Sequence, residues 1–189
     1  MRTHHTVAAL AATGLLALTG CTPSEIKTKP DAAAPAPAAS STPATSAPAQ
    51  QKAAIGSTLT LKGNTKGEQL AVTIKKWADP ATPADDFMKP DEGKRWVAAQ
   101  VEVTNTGTAV YDDTPGNGMQ VADADGQRFQ SSFTETTAGP QMPGTVKLPA
   151  GDKALGWVTF EVPKDSKVVT IQFAMNSGFA TQTGQWTVS

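Results

Sequence analysis

From residue 55 onward, apolar and polar positions alternate with a period of two. Leu70, Val72 and Ile74 are separated by Ala71 and Thr73, and Val97, Ala99, Val101 and Val103 by Ala98, Gln100 and Glu102. Val158, Phe160 and Val162 alternate with Thr159 and Glu161, and Val169, Ile171 and Phe173 repeat the pattern near the C-terminus. Successive side chains of a strand point to opposite faces, so each run predicts a half-buried strand with one wet face. Asn105-Thr106-Gly107, Ala124-Asp125-Gly126 and Pro149-Ala150-Gly151-Asp152 punctuate these runs as turns. Asp125-Gly126, between Met119–Asp123 and Arg128–Phe133, predicts a hairpin. No helical period stands out after the first 20 residues. The expected fold is an all-β domain over residues 55–189, an antiparallel β-sandwich of about seven to nine strands around one core.

Ahead of that domain the composition changes. Residues 22–54 form a separate region, and from Pro30 to Ala54 it is almost entirely Ala, Pro, Ser, Thr and Gln, as in Ala34-Pro35-Ala36-Pro37-Ala38-Ala39-Ser40-Ser41-Thr42-Pro43. Such a segment offers no apolar face to bury, and its prolines interrupt helix and strand alike. Residues 21–54 are therefore expected to be a disordered tether, reaching about 100 Å if polyproline-like and about 30–35 Å as a coil. A Ser/Thr-Pro stretch also suits an O-glycosylated stalk, whereas no Asn-x-Ser/Thr sequon is present.

The first 20 residues read as a signal peptide. Arg2 supplies a basic start, and Val7 to Leu18 forms an apolar run of about 12 residues, in the range of a secretory signal. That run is shorter than the ~20 residues a membrane-spanning helix needs. Leu18-Thr19-Gly20-Cys21 resembles a bacterial lipobox, in which the cysteine thiol receives a diacylglycerol before cleavage ahead of it. The alternatives are an uncleaved apolar segment and an ordinary cleavage site with Cys21 buried or paired. Cys21 is the only cysteine in the chain and closes the apolar run, which favours lipidation. Two acyl chains are also what stable anchoring requires. The expected location is the extracytoplasmic face of the cell membrane, in a Gram-positive-type envelope.

Charge and composition then exclude chemistries. Removing residues 1–20 takes away Arg2, His4 and His5, leaving 15 basic against 17 acidic side chains, a formal charge of −2. That balance gives no basic stripe for nucleic acid and no polybasic aid to membrane binding. Without histidine, Ser-His-Asp and Cys-His catalysis and the common zinc sites have no ligands or base. No glycine-rich phosphate loop occurs. Carboxylate-only catalysis is the one enzymatic class that composition leaves open. No cofactor and no metal are expected, and the chain is read as a non-enzyme.

Several segments, taken in order, carry a family resemblance. They are Ile55-Gly56-Ser57-Thr58-Leu59-Thr60-Leu61, Leu70–Ile74, Gly93–Gly107, Asp123-Ala124-Asp125-Gly126, Leu148–Asp152 and Gly156–Pro163. Together they resemble the telokin-like, Ig-like domain of many Gram-positive lipoproteins, a family of unknown function. It is similar in fold to a small secreted mycobacterial immunogenic protein family. The resemblance implies an Ig-like sandwich at the cell surface and carries over no catalytic or ligand residues.

Inside the domain, parity singles out three tryptophans. Trp77 is in step with Thr73 and Lys75, Trp96 with Gln100 and Glu102, and Trp157 with Thr159 and Glu161. Strict alternation places all three on wet faces, where clustered aromatics mark a protein or glycan contact surface. The competing expectation is that a bulge or a covering loop buries each of them. Acidic residues also crowd three places: the 78–93 loop, Asp112-Asp113, and Asp123 with Asp125. None shows calcium-loop spacing, so solvated loops are expected, with a weak two-loop calcium site as the alternative. The functional expectation is a membrane-anchored module binding a protein or cell-wall partner. A structural envelope lipoprotein is the alternative.

Overall fold

The computed structural model describes residues 51–188. Eleven strands follow in order: β1 Gln51–Ala54, β2 Thr58–Lys62, β3 Gln69–Ala78, β4 Lys94–Asn105, β5 Tyr111–Asp113, β6 Met119–Asp123, β7 Arg128–Ser132, β8 Val146–Leu148, β9 Lys153–Pro163, β10 Val168–Ala174 and β11 Thr183–Thr187. Only two short 3-10 turns, Pro115–Gly118 and Asn176–Gly178, interrupt the β structure among the described residues. No helix there is long and apolar enough to cross a membrane. The signal-like residues 1–20, Cys21 and most of the expected tether lie outside the described residues.

The alternation does what its period requires. β3, β4 and β9 pair antiparallel, with Val72 opposite Val103, Val101 opposite Gly156, and Val97 opposite Phe160. Leu70, Val72, Ile74, Val97, Ala99, Val101, Val103, Val158, Phe160 and Val162 thereby reach one inner face and are buried. Nine strands are hydrogen-bonded in the order β1-β11-β10-β6-β7-β9-β4-β3-β2. This ribbon folds on itself because β7 changes partner midway. Gln130 pairs with Gln120 of β6, while Ser131 and Ser132 pair with Phe160 and Thr159 of β9. A strand that switches sheets makes the corner of a sandwich. The β1–β11–β10–β6 layer and the β9–β4–β3–β2 layer then share one core. Met119, Val121, Ile171, Phe173 and Trp186 meet Leu61, Leu70, Ile74, Val97 and Phe160 there. The result is an Ig-like β-sandwich.

Two details differ from the expectation. The first strand lies at Gln51–Ala54, inside the stretch expected to be tether, so ordered structure begins ahead of residue 55. It pairs parallel with β11, Gln51 opposite Gly184, whereas every other strand pair is antiparallel. Gln-Lys-Ala-Ala has low intrinsic strand preference and no alternation, so tertiary pairing decides its state. The short strands β5 and β8 form a separate two-stranded ladder. Buried Asn105 holds it: its Nδ2 donates to Ala109 O and to Leu148 O, both at 2.8 Å. The expected hairpin is present as β6–β7. Its turn is organised by buried Asp123, whose Oδ1 accepts the N–H groups of Asp125 (3.1 Å) and Gln127 (2.8 Å).

Two predictions follow from the packing. Segment 140–142 lies directly on β9, with Met142 N donating to Trp157 O at 2.8 Å and Trp157 N donating to Pro140 O at 2.9 Å. A Cβ on Gly156 would stand 2.4 Å from Met142 Cα and 2.5 Å from its N, a backbone clash that no rotamer relieves. Gly156→Ala is expected to lower the denaturation free energy by about 1–3 kcal/mol, measured by urea titration. Tyr111, the only tyrosine, is buried with an unpartnered hydroxyl. Burial first, then the carboxylates of Asp113 and Glu68, push its ionisation well above the usual phenol value. The folded state therefore keeps the proton to higher pH than the unfolded chain, so stability falls as pH rises past the phenol range near 10. Tyr111→Phe is expected to leave neutral stability unchanged or higher and to flatten that alkaline decline. Melting curves on both sides of that range check it.

Candidate functional site

The three tryptophans do not form a contact patch. Trp96 is 2% exposed and Trp157 is 6% exposed, packed with Ala81 and Ala98 in a second small core on the outer face of the β4–β9 sheet. Their parity is outward, as the alternation implies, but two loop segments roof that face. Ala81 N donates to Trp96 O at 2.7 Å, and Thr137 N to Thr82 O at 2.9 Å. Trp77 is turned inward by a register shift between Ile74 and Lys76. It thereby comes opposite Ala99 and packs half-buried against the main core. Of the two expectations for these tryptophans, the structure shows burial, by loop cover for Trp96 and Trp157 and by a bulge for Trp77, and not the exposed contact patch. The exposed aromatics are instead Phe87, Phe133 and Phe179.

The acidic loops are occupied with local structure. Asp79 binds Arg95 through both oxygens (2.7 and 2.8 Å), and Arg95 also donates to the carbonyls of Pro163 and Ser166. Lys94 bridges Asp91 and Glu161 at 2.9 and 2.7 Å, which holds the Asp91 carboxyl below its ordinary value. Asp85 caps its own turn by accepting from Phe87 N and Met88 N, and those bonds lower its ionisation too. Among the described residues, no three His, Cys, Asp or Glu side chains gather to hold a metal.

The face that stays open belongs to the other sheet. Register puts four glutamines side by side across four adjacent strands: Gln185 of β11, Gln172 of β10, Gln120 of β6 and Gln130 of β7. Gln172, only 4% exposed, is the hub of this row. Its Oε1 accepts from Gln120 Nε2 at 3.1 Å and from the guanidinium of Arg128, and its Nε2 donates to Gln185 Oε1 at 2.9 Å. An amide held from three sides is oriented before any ligand arrives. Above the row lies a groove of about 500 Å³, walled by the turns 115–118 and 176–178 and by Phe179.

The second wall is strained and tightly held. Asn176 and Ser177 sit in the left-handed region at φ 53° and 52°, where non-glycine residues are uncommon. Asp113 accepts from Ser177 N (2.8 Å) and Ser177 Oγ (2.6 Å), while the Asn176 side chain bonds Glu68 (3.1 Å) and Asn64 (2.9 Å). Asn64 Nδ2 also donates to Phe179 O at 3.1 Å. The backbone of Phe179 is therefore fixed while its ring stands 83% exposed beside the groove. Rare backbone conformations that persist because their surroundings over-determine them cluster at functional sites.

The model of a domain of unknown function, DUF4352, matches residues 61–183. The chain belongs to the DUF4352 family. Among solved structures, this DUF4352 protein is similar to MPT63, a secreted protein of Mycobacterium tuberculosis. The identity is 19% and the TM-score 0.52, covering 74% of this chain and 98% of that one. It is also similar to YcdA, a candidate lipoprotein of Bacillus subtilis, at 14% identity and a TM-score of 0.50, covering 68% of this chain. The match spans 38% of YcdA's length. These likenesses establish the sandwich fold. Comparison with curated protein sequences gives no match.

The glutamine row is not visible in the sequence, because its members are scattered over four strands. Each stands at a wet parity position, so the signal was there, but only the register aligns them. The buried tryptophans give a direct check on the site assignment. Trp96, Trp157 and Trp186 are all buried, so emission should be blue-shifted and acrylamide quenching slight. A red-shifted, readily quenched spectrum would restore an exposed tryptophan face.

Proposed function

We propose that this DUF4352 protein is a membrane-anchored extracytoplasmic lipoprotein whose sandwich is a non-enzymatic binding module, with the glutamine-lined groove as its recognition face. The observation that carries the reading is the hydrogen-bonded row centred on Gln172, which presents fixed donors and acceptors on an open sheet face. Location is supported by the signal-like residues 1–20 and the lipobox-like Leu18-Thr19-Gly20-Cys21. MPT63 is secreted and YcdA is a candidate lipoprotein, which agrees with it. The non-enzymatic reading is supported by the absence of histidine and cysteine after residue 21 and by carboxylates engaged in local ion pairs and turn caps.

A chain in which residues 1–21 are replaced by an ordinary cleavable secretory signal is expected to shift from the membrane to the soluble extracytoplasmic fraction. That released chain is then the probe for binding. It should co-sediment saturably with isolated envelopes, and Gln130→Trp, at an exposed groove position, should abolish this while circular dichroism stays unchanged. Retention of that chain in the membrane would refute the anchor. Unsaturable binding, or binding indifferent to Gln130→Trp, would refute the recognition face.

A further inference from the structure

We infer that the groove takes an acidic glycan, a saccharide chain bearing carboxylates; this rests on the groove being the recognition face. Three features of the groove and its sheet select that chemistry. The first is charge. Lys52 of β1 stands opposite Gln185 and extends the row to a fifth strand. Arg128 sits at the other end, in the groove lining. Outward positions of β1, β11, β10, β6 and β7 carry these two cations and no Asp or Glu, in a chain whose net charge is negative. Arg128 has no carboxylate within 4.0 Å among the described residues and directs one N–H at Gln172, leaving donors of its fork free. A planar fork of this kind matches a carboxylate.

The second feature is the amide row. Saccharide hydroxyls both donate and accept, and side-chain amides offer the same pairing in return. Neighbouring strands lie about 4.8 Å apart, so the row repeats on the scale of a sugar ring. The third is Phe179, an exposed ring on a rigid turn, suited to the apolar face of a pyranose. A peptide would use either a free sheet edge or apolar side-chain pockets, and this face offers neither along the row.

The test uses the same released chain and titration calorimetry with oligogalacturonate, its methyl ester and a neutral glucan. The ester keeps the ring scaffold and removes the charge. Oligogalacturonate should bind saturably, and the ester at least about tenfold more weakly, as expected for loss of a charge-assisted pair. Arg128→Gln should abolish the discrimination, Arg128→Lys should fall between, and Phe179→Ala should weaken the acid form further. Competition against envelope binding by oligogalacturonate or by soluble muramic-acid-containing wall fragments identifies which polymer supplies the acidic sugar. Equal affinity for acid and ester, or discrimination that survives Arg128→Gln, overturns the inference. So does groove-dependent envelope binding that no acidic saccharide displaces, and that outcome leaves the recognition face intact. Absence of envelope binding altogether would instead remove the reading beneath it.

Discussion

Everything in this fold depends on the register between β4 and β9. Their ladder runs from Lys94 opposite Pro163 to Thr104 opposite Lys153 and sets two faces at once. Inward, Val97, Val101, Val103, Val158, Phe160 and Val162 enter the common core; outward, Trp96, Ala98 and Trp157 found the small second core. A slip of one residue would exchange these sets and leave the branched aliphatics under a roof shaped for indoles. The glycine at 156 belongs to the same constraint. It sits where segment 140–142 pairs with β9 through the backbone of Trp157, and Met142 reaches the main core there only because no side chain stands in the way.

The two sheets then diverge in what their outer faces do. One is covered by loops from distant parts of the chain and acts as interior. The other stays polar and open, walled by two 3-10 turns that approach each other through glycine. A Cβ on Gly178 would lie 3.5 Å from Asn117 O and 3.9 Å from Gly118 Cα. Side chains on the open face are ordered by one another, with Gln172 bonded to its neighbours on both sides. A wet sheet face normally leaves such long amides free to rotate, which costs entropy on binding. Here that ordering is already present in the folded protein.

Alternation made most of the sandwich legible: β3, β4, β9 and β10 and the β6–β7 hairpin all follow from parity and turn residues. β1, β5 and β8 did not, because four or three residues carry too little periodicity and their state is decided by partners far away in the chain. The tryptophans show the limit from another side. Parity gave the right face for Trp96 and Trp157, yet whether a face is wet depends on loops that only tertiary structure places. For Trp77 the bulge near Lys75 inverted parity itself, and no residue there announces it. The candidate site was legible in kind, as polar residues at strand positions, but not in arrangement, since four glutamines from four strands become a row only through register.

The parallel pairing of β1 has a geometric consequence for the rim of this sheet. Because β1 runs alongside β11 with Gln51 opposite Gly184, Gln51 stands at the end of the sheet where Thr183 borders the groove. An antiparallel first strand would have placed it at the far end of β11, beside Thr187. The pairing also makes β11 an interior strand, with β1 on one side and β10 on the other. The outer edge of this layer is thereby a strand of only four residues, which offers little for another chain to pair with.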